Sequence, residues 1–324
     1  MFHRSVMKTR RCSKDDVLSI PKLMEKFPTE ETAIALLESI LWPNGPECPH
    51  CENKDAAKFW KVTASKTTGV RAGLRQCAVC KAKTRVTVGT IFEDSHIPLN
   101  KWLIAWYLLC GAKKSMSALQ LQGAIGLGSY KSAWFMAHRI RHAMADPVLV
   151  RKLSGIVEAD ESWIGGKNTG KGSAGAKMNK TPVVAIVERG GRIRSIALDR
   201  ITGNNLRKAI RENVEICSHL HTDHNPIYVG MQPKYDLSSV KHCAKEYSRG
   251  NVHVNTAECS FSLLKRAVVG SFHHIGKTHL PLYLSEADFK FNHRRDTDSE
   301  RTIAGLRKVA GKRMLYKTPR RKVA

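Results

Sequence analysis

Apolar residues follow a helical spacing in the first part of this chain and a strand-like alternation after Leu149. The longest apolar run, "WLIAWYLLC" at residues 102–110, has the character of a buried helix. It is far shorter than the roughly 18 apolar residues that cross a membrane. The pattern therefore predicts helices first, then an α/β region, and no membrane span.

Two helices are predicted by "SMSALQLQGAIGLGSYKSAWFMAHRIRHAM", one at 115–123 and one from about Ser129, with the turn "IGLG" between them. One face of the second helix is apolar and is expected in the core. That face consists of Ala133, Ala137, Ile140 and Met144.

The opposite face of this second helix is polar and cationic. It carries Lys131, Phe135, His138 and His142, with Arg139 and Arg141 on its flanks. A cationic second helix after a short turn is typical of a helix-turn-helix, so we expect Lys131, Arg139 and Arg141 to contact DNA. An ordinary surface helix is the alternative.

The second half of the chain alternates between strand and helix patterns. In "SGIVEADESWIGG", Asp160 lies on one face of a predicted strand together with Glu158 and Ser162. Next come a hairpin ("TPVVAIVER", "GG", "RIRSIALDRI"), a helix capped by Thr202, and the strand "SHLHTD", which ends at Asp223.

A late helix is predicted in "NTAECSFSLLKRAVVG", which carries two stripes at helical spacing. The apolar stripe is Ala257, Phe261, Leu264 and Val268, and it should face a core. The polar stripe is Asn255, Glu258, Ser262 and Lys265. On an isolated helix such a stripe is normally solvated, so its meaning depends on what lies opposite it.

The net charge of the chain is strongly positive, which indicates the kind of partner that it binds. The 324 residues include 54 Lys+Arg against 28 Asp+Glu, which gives a net charge of +26 and a pI near 9.9. Such an excess indicates a polyanion, most often nucleic acid. A membrane surface or a merely basic solvated surface are the alternatives. The densest cationic segment is the carboxyl end, which we expect to be an arm that contacts phosphates.

Four of the nine cysteines form two C-x-x-C pairs, Cys48 with Cys51 and Cys77 with Cys80. Two such turns joined by a hairpin provide the four-sulfur shell that zinc prefers, so we predict a zinc ribbon with structural Zn²⁺. Disulfides or a redox dithiol are the alternatives, and His50 could replace one cysteine. The remaining cysteines are expected to be ordinary thiols: Cys12, Cys110, Cys217, Cys243 and Cys259.

Three acids occupy related places in the second half: Asp160 on the first strand, Asp223 at the end of the fourth, and Glu258 on the late helix. In an RNase H-like sheet these two strands are neighbours and the helix packs across their edge, so the acids converge. Converging carboxylates repel each other, and two Mg²⁺ or Mn²⁺ ions would neutralise them. Four other acids compete for these positions: Glu158, Glu161, Glu246 and Glu286.

These features together resemble the prokaryotic insertion-sequence transposases that join a zinc ribbon to an RNase H-like domain with an Asp-Asp-Glu triad. The resemblance covers most of the chain, including "FPTEETAIALLESILWPNGPECPHC", "YKSAWFMAHRIRHAM", "EADESWIGGK", "HTDHNPIY" and the block from "HVNTAECSF" to "FKFNHR". Departures are Cys259 and Ser260, where the family tends to have Gly and an aromatic residue, and His224, where a small residue is common.

The resemblance implies that Asp160, Asp223 and Glu258 bind the metals and that Asn255 and Lys265 assist them. Lys265 and the adjacent Arg266 are expected to contact DNA. It also implies a two-step reaction in which transposon ends are cut and the 3′-hydroxyl is joined to target DNA. The partners would be terminal inverted repeats, target DNA and further copies of this chain, in the cytosol. A DNA-binding regulator and a structure-selective nuclease are the alternatives.

The expected organisation has five parts. They are a helical segment at 1–43, the zinc ribbon at 44–96, a helix-turn-helix region at 97–148, an RNase H-like α/β domain at 149–297, and a basic tail at 298–324.

Overall fold

The computed structural model describes residues 19–65, 67, 69–146, 151–165, 180–232, 234–241, 244 and 246–315. The chain divides into two units: Met1–Gly111 with Arg295–Gly311, and Ala112–Arg294 with Lys312–Ala324. The region predicted as one helix-turn-helix part is therefore shared between the two units.

The described residues of the first unit form four α-helices and a small antiparallel sheet of order β1-β2-β3. Its elements are α1 (Ile20–Lys26), α2 (Glu30–Leu41), β1 (Phe59–Lys61), β2 (Arg75–Cys77), β3 (Lys83–Thr84), α3 (Leu99–Gly111) and, from the far end of the chain, α9 (Asp298–Leu306). The α3 helix is the predicted apolar run, and it buries both Trp102 and Trp106.

Two predictions in this unit need correction. The sequence "KTRVTVGTIF" after the second cysteine pair predicts a further strand, but only its residues Lys83 and Thr84 form β3. Turns closed by backbone hydrogen bonds, such as that from Val88 N–H to the Arg85 carbonyl, follow it. The expected tail begins with helix α9, which starts in a capping box between Thr297 and Glu300. Residues 316–324 of that tail lie outside the described residues.

The second unit is a five-stranded mixed sheet with helices on both faces. Its elements are α4 (Ala118–Ile125), α5 (Tyr130–Met144), β4 (Ile156–Ile164), β5 (Thr181–Glu188), β6 (Ile193–Ala197), α6 (Gly203–Asn213), β7 (His219–Asp223), β8 (Asp236–Val240), α7 (Asn255–Ala267) and α8 (Leu280–Asn292). The sheet order is β6-β5-β4-β7-β8, with β4, β7 and β8 parallel. The prediction of an RNase H-like mixed sheet is confirmed. Strand β8 was missed.

Two apolar cores lie on opposite faces of this sheet, as the period-two alternation of β4 and β5 requires. On one face, Val157 and Ala159 of β4 pack with Leu206 and Ile210 of α6. On the other face, residues of β5 pack against α7 and α8. These are Val183, Ala185 and Val187 of β5 with Ala257, Phe261, Leu264, Leu280 and Leu284 of the helices.

Among the described residues, no helix combines the length and the apolar character that a membrane crossing requires.

Candidate metal centre and active site

The two C-x-x-C pairs meet in the ribbon, where Cys48 and Cys77 are buried and Cys51 and Cys80 are exposed. The Sγ atoms of Cys48 and Cys80 are 3.6 Å apart, and those of Cys51 and Cys77 are 3.7 Å apart. A tetrahedral shell with Zn–S bonds near 2.3 Å has sulfur–sulfur distances of about 3.8 Å. The spacing of the four sulfurs therefore fits one zinc ion.

The Cys77 thiol of the ribbon is more acidic than an ordinary cysteine. The pKa of this thiol is lowered to about 6, chiefly because the backbone N–H groups of Cys80 and Val79 donate hydrogen bonds to its sulfur. A thiolate is the form that binds zinc. The geometry and the chemistry of the four cysteines together support a structural Zn²⁺.

The two predicted aspartates lie side by side in the sheet. Ala159 of β4 pairs in parallel register with Thr222 of β7, so Asp160 and Asp223 follow at the next position of each strand. Neighbouring strands are about 4.8 Å apart, and residues paired in this register point to the same face. Both residues are half-buried, and the Oδ1 atom of Asp223 is itself buried.

Glu258 approaches from helix α7 on that same face. Asp160 pairs with Ala185 of β5, and Ala185 belongs to the core that contains Ala257 and Phe261 of α7. Glu258 follows Ala257 directly and is half-buried. The first turn of α7 therefore lies on the face of the sheet from which Asp160 and Asp223 project.

Electrostatic coupling gives further evidence of an acidic region. Burial raises the pKa of Glu161 to about 7, and the charges of Asp223 and Asp160 raise it further. The pKa of Tyr228 is raised as well, first by burial and then by the charges of Glu161, Asp223 and Asp160. Negative charge is thus concentrated between the middle of β4 and the carboxyl end of β7.

The acids are less tightly grouped than the cysteines. Among the described residues, only the four cysteines form a group of three or more His, Cys, Asp or Glu side chains whose ligand atoms all lie within 4.8 Å of one another. Carboxylates without cations repel each other, and a pair of ions about 3.5–4 Å apart needs ligands spread over a wider space. Hard oxygen donors on one face of the sheet fit such ions.

The competing acids have other roles. Both oxygens of Glu158 accept hydrogen bonds from the start of α7. Glu246 accepts from the backbone N–H of Lys241 at 3.0 Å. Glu286 is buried beside two cations, described below, and neither it nor Glu246 lies on the strands or helix that carry the triad.

The helper residues of α7 are exposed. Asn255 begins the helix, and Lys265 and Arg266 lie in its last turn. Seven residues separate Lys265 from Glu258, a rise of about 10 Å along a helix. Both cations are exposed, and Arg266 also donates from its Nε to the Ser262 carbonyl at 3.3 Å.

The predicted face of α5 needs correction. The apolar positions Ala133, Ala137, Ile140 and Met144 are buried as expected. Lys131 is exposed, but Arg139 and Arg141 are only 6% and 2% exposed. Arg139 stacks on Phe135 and donates to the carbonyl of Met314. A buried guanidinium occupied in this way does not present itself to a DNA phosphate.

Arg141 instead belongs to a buried ionic cluster between α5 and α8. Its Nε donates to Glu286 at 2.7 Å, and Lys290 donates to the same carboxylate at 2.6 Å. Ser115 also donates to Glu286. Burial alone would raise the pKa of Glu286, but Lys290 and Arg141 outweigh it and lower that pKa to about 2. These ion pairs connect α5, and with it the hairpin of α4 and α5, to helix α8, which packs on the sheet.

Comparison with known proteins agrees with these features. The ISXO2-like transposase domain matches residues 152–292, and the transposase zinc-ribbon domain matches residues 28–83. A Halobacterium salinarum protein, described as an uncharacterized protein in transposable element ISH50, is 26% identical over 260 residues. That alignment covers 75% of this chain and 84% of the relative.

The solved structures that match include a simian T-cell lymphotropic virus intasome in complex with PP2A regulatory subunit B56 gamma. That match covers 50% of this chain and 63% of that chain, at 17% identity and a TM-score of 0.28. The two domain matches carry the assignment. The chain combines a transposase zinc-ribbon domain, over residues 28–83, with an ISXO2-like transposase domain, over residues 152–292.

Proposed function

We propose that this protein cuts the ends of its insertion sequence and joins them to target DNA, with Asp160, Asp223 and Glu258 as ligands of two Mg²⁺ or Mn²⁺ ions. The observation that carries the proposal is the parallel pairing of β4 with β7, which sets the two aspartates side by side. Support comes also from α7, which packs on the same face.

The proposed roles follow from chemistry and position. Asp160, Asp223 and Glu258 would hold the two cations, which when bound would supply charge to activate the attacking oxygen and stabilise the leaving oxygen of an in-line displacement at phosphorus. The three carboxylates hold these charges at the sheet edge. Lys265 contacts a DNA phosphate beside them, and Asn255 at the start of α7 orients a ligand or water.

The reaction takes place in two displacements. Water first attacks the phosphodiester at the transposon end, and the bond to the 3′ oxygen breaks to release a 3′-hydroxyl. That hydroxyl then attacks a phosphodiester of the target, joins to its phosphate and displaces the 3′ oxygen of the target strand. Neither step requires a covalent enzyme intermediate or a nucleotide cofactor. Both ends must be held together, so we expect a homo-oligomer on terminal inverted repeats.

The test is incubation of the full chain with its own flanking DNA ends, a target duplex and Mg²⁺, followed by sizing of the products. Asp223→Asn should reduce cutting and joining by at least about 10³-fold, since it removes a group that stabilises charge in the transition state. The matched control is Asp236→Asn, which changes an exposed acid at the opposite end of the sheet.

Three results would contradict the proposal. Full strand transfer by Asp223→Asn would remove the acids from the mechanism. Specific binding of the ends with no cutting in any divalent metal would make the protein a regulator. Cleavage that never yields a joined product would make it a structure-selective nuclease.

A further inference from the structure

A fully buried carboxylate lies beside the candidate site without belonging to its triad. Glu158 is on β4, two residues before Asp160, and it is 0% exposed. Two residues along a strand span roughly 7 Å. A buried charge is unfavourable unless it is paired and hydrogen-bonded, so the partners of Glu158 indicate what it does.

The first partners of Glu158 are the opening turn of α7. One oxygen accepts from the backbone N–H groups of Thr256 (2.7 Å) and Ala257 (3.2 Å), and the other from the Thr256 hydroxyl (3.0 Å). The residue before the helix, Val254, offers no side-chain acceptor. Glu158 therefore takes the place of a local N-cap and lies at the positive end of the helix.

The second partner is Arg189, directly after β5. Its Nε donates to Glu158 at 2.9 Å. The same guanidinium donates to the backbone carbonyls of Asn251 (2.8 Å) and His253 (3.1 Å), just before α7. Arg189 thus holds the segment that leads into the helix, while Glu158 holds the helix itself.

The network also reaches strand β7. Arg189 contacts the Nδ1 atom of His221 at 3.3 Å, and His221 is the residue that pairs with Glu158 across β4 and β7. His221 precedes Asp223 by two residues, as Glu158 precedes Asp160. Hydrogen bonds through Glu158 and Arg189 therefore connect β4, β7 and α7, in each case two residues before the acid of the triad.

We propose that the Glu158–Arg189 pair is a positioning element that sets helix α7, and with it Glu258, against β4 and β7. The inference rests on the proposed function for its effect on the reaction, but the positioning itself can be measured without DNA. Neither residue touches substrate. Their contribution is to hold Glu258 at the distance from Asp160 and Asp223 at which all three can share cations.

The test uses Glu158→Ala, Glu158→Gln and Arg189→Lys in the full chain. The amide variant keeps an oxygen acceptor for Thr256 and Ala257 but loses the charge that pairs with Arg189. The control is Thr202→Ala, which removes the N-cap of α6 and its hydrogen bond to Asn205. That helix packs on the other face of the sheet and carries no member of the triad.

The first measurement is hydrogen exchange of the amides of Thr256, Ala257 and Glu258 without metal or DNA. Glu158→Ala should accelerate it at least about tenfold, with smaller increases for Glu158→Gln and Arg189→Lys. Amides of α8 should not change, and Thr202→Ala should affect only α6. Unchanged exchange at the start of α7 in all three variants would overturn the inference.

The second measurement separates positioning from general stability. Mn²⁺ affinity should fall about 10–100-fold in Glu158→Ala, as expected when the support of a metal ligand is removed. Glu158→Gln should lose less Mn²⁺ affinity than Glu158→Ala. Thr202→Ala should bind Mn²⁺ as tightly as wild type does. Equal Mn²⁺ affinity in wild type and Glu158→Ala would contradict the proposal. If wild type binds no Mn²⁺, the proposed function fails, while the exchange result still decides on positioning.

Discussion

The four cysteines of the ribbon and the three acids of the sheet are assembled in different ways. Each C-x-x-C is complete within four residues, and one small hairpin sheet brings the two turns together. The acids lie on two strands and a helix that are separated by a hairpin, a helix and β8. The first site depends on local turns, and the second depends on the topology of a whole domain.

The two sites also differ in how they tolerate the lack of a cation. Thiols can be neutral, so four of them can pack with their sulfur atoms within 4.8 Å. Carboxylates at neutral pH repel one another: burial is the main reason that the pKa of Glu161 is raised, and the charges of Asp223 and Asp160 raise it further. The comparison implies that zinc contributes folding energy at the ribbon, whereas the cations proposed at the acids would mainly neutralise charge.

The largest effect should come from removing a ribbon ligand. Cys77→Ser should abolish stoichiometric zinc binding and unfold the ribbon, because structural zinc contributes apparent free energies of about 10–16 kcal/mol at such sites. Zinc content and the fluorescence of the exposed Trp60 would report it. Cys217→Ser, which changes an exposed thiol, is the control. Normal zinc content in Cys77→Ser would contradict the assignment of Cys77 as a ligand of a structural zinc ion.

A smaller but still large effect should follow Glu286→Gln. This acid is neutralised by the protein itself, so its loss leaves Arg141 and Lys290 buried without their carboxylate. Breaking one side of such a cluster costs about 3–5 kcal/mol of unfolding free energy. Urea denaturation measures it, and Glu246→Gln should change stability by less than about 1 kcal/mol because that acid is more exposed. Equal effects would contradict this assignment.

The same cluster predicts a dependence on pH. The folded pKa of Glu286, about 2, lies below its ordinary value of 4.5. The contribution of Glu286 to the free energy of unfolding is therefore fully present above pH 4.5 and is lost as the pH falls from 4.5 toward 2. That loss is on the order of 3 kcal/mol, and it should be absent from the stability profile of Glu286→Gln. Parallel profiles for the two proteins would show that the carboxylate is not held ionised.

Sequence reasoning succeeded where the signal is short or repeats. The cysteine pairs, the apolar stripes of α5 and α7 and the alternation in β4 all predicted structure correctly, because each depends on residues within one element. The order of strands also gave the pairing of β4 with β7 through the resemblance to a known fold. Whether the acids hold metal stays a prediction.

What the sequence did not reveal depends on contacts between distant elements. Arg139 and Arg141 flank the polar face of the predicted helix and were expected to contact DNA, but Arg141 is buried against a carboxylate that α8 supplies, Glu286. Glu158 looks like a rival metal ligand until α7 places its backbone N–H groups against it. Strand β8, "DLSSV", was missed because it is short and has only two apolar residues, Leu237 and Val240, which do not alternate with its polar ones.

A moderate effect is expected at the acids themselves. Without divalent cations, Asp160→Asn should raise the stability of the domain by on the order of 1 kcal/mol, because it removes one of several like charges. Millimolar Mg²⁺ should stabilise wild type but stabilise the variant much less. Thermal unfolding with and without Mg²⁺ tests this, with the exposed Asp199→Asn as control. A wild type that is insensitive to Mg²⁺ would remove the contrast between the two sites.

The smallest effect concerns the cations that surround the acidic site. Lys265 is exposed on α7, whereas Arg139 of α5 is buried. Each phosphate contact contributes about one unit to the slope of log affinity against log salt concentration. Lys265→Gln should therefore lower that slope by about one for duplex DNA, while Arg139→Gln, checked by melting for a folded domain, should leave it unchanged. The reverse result would mean that α5 turns its buried cations outward on DNA, and the helical hairpin would then be a separate reading module rather than a fixed part of the domain.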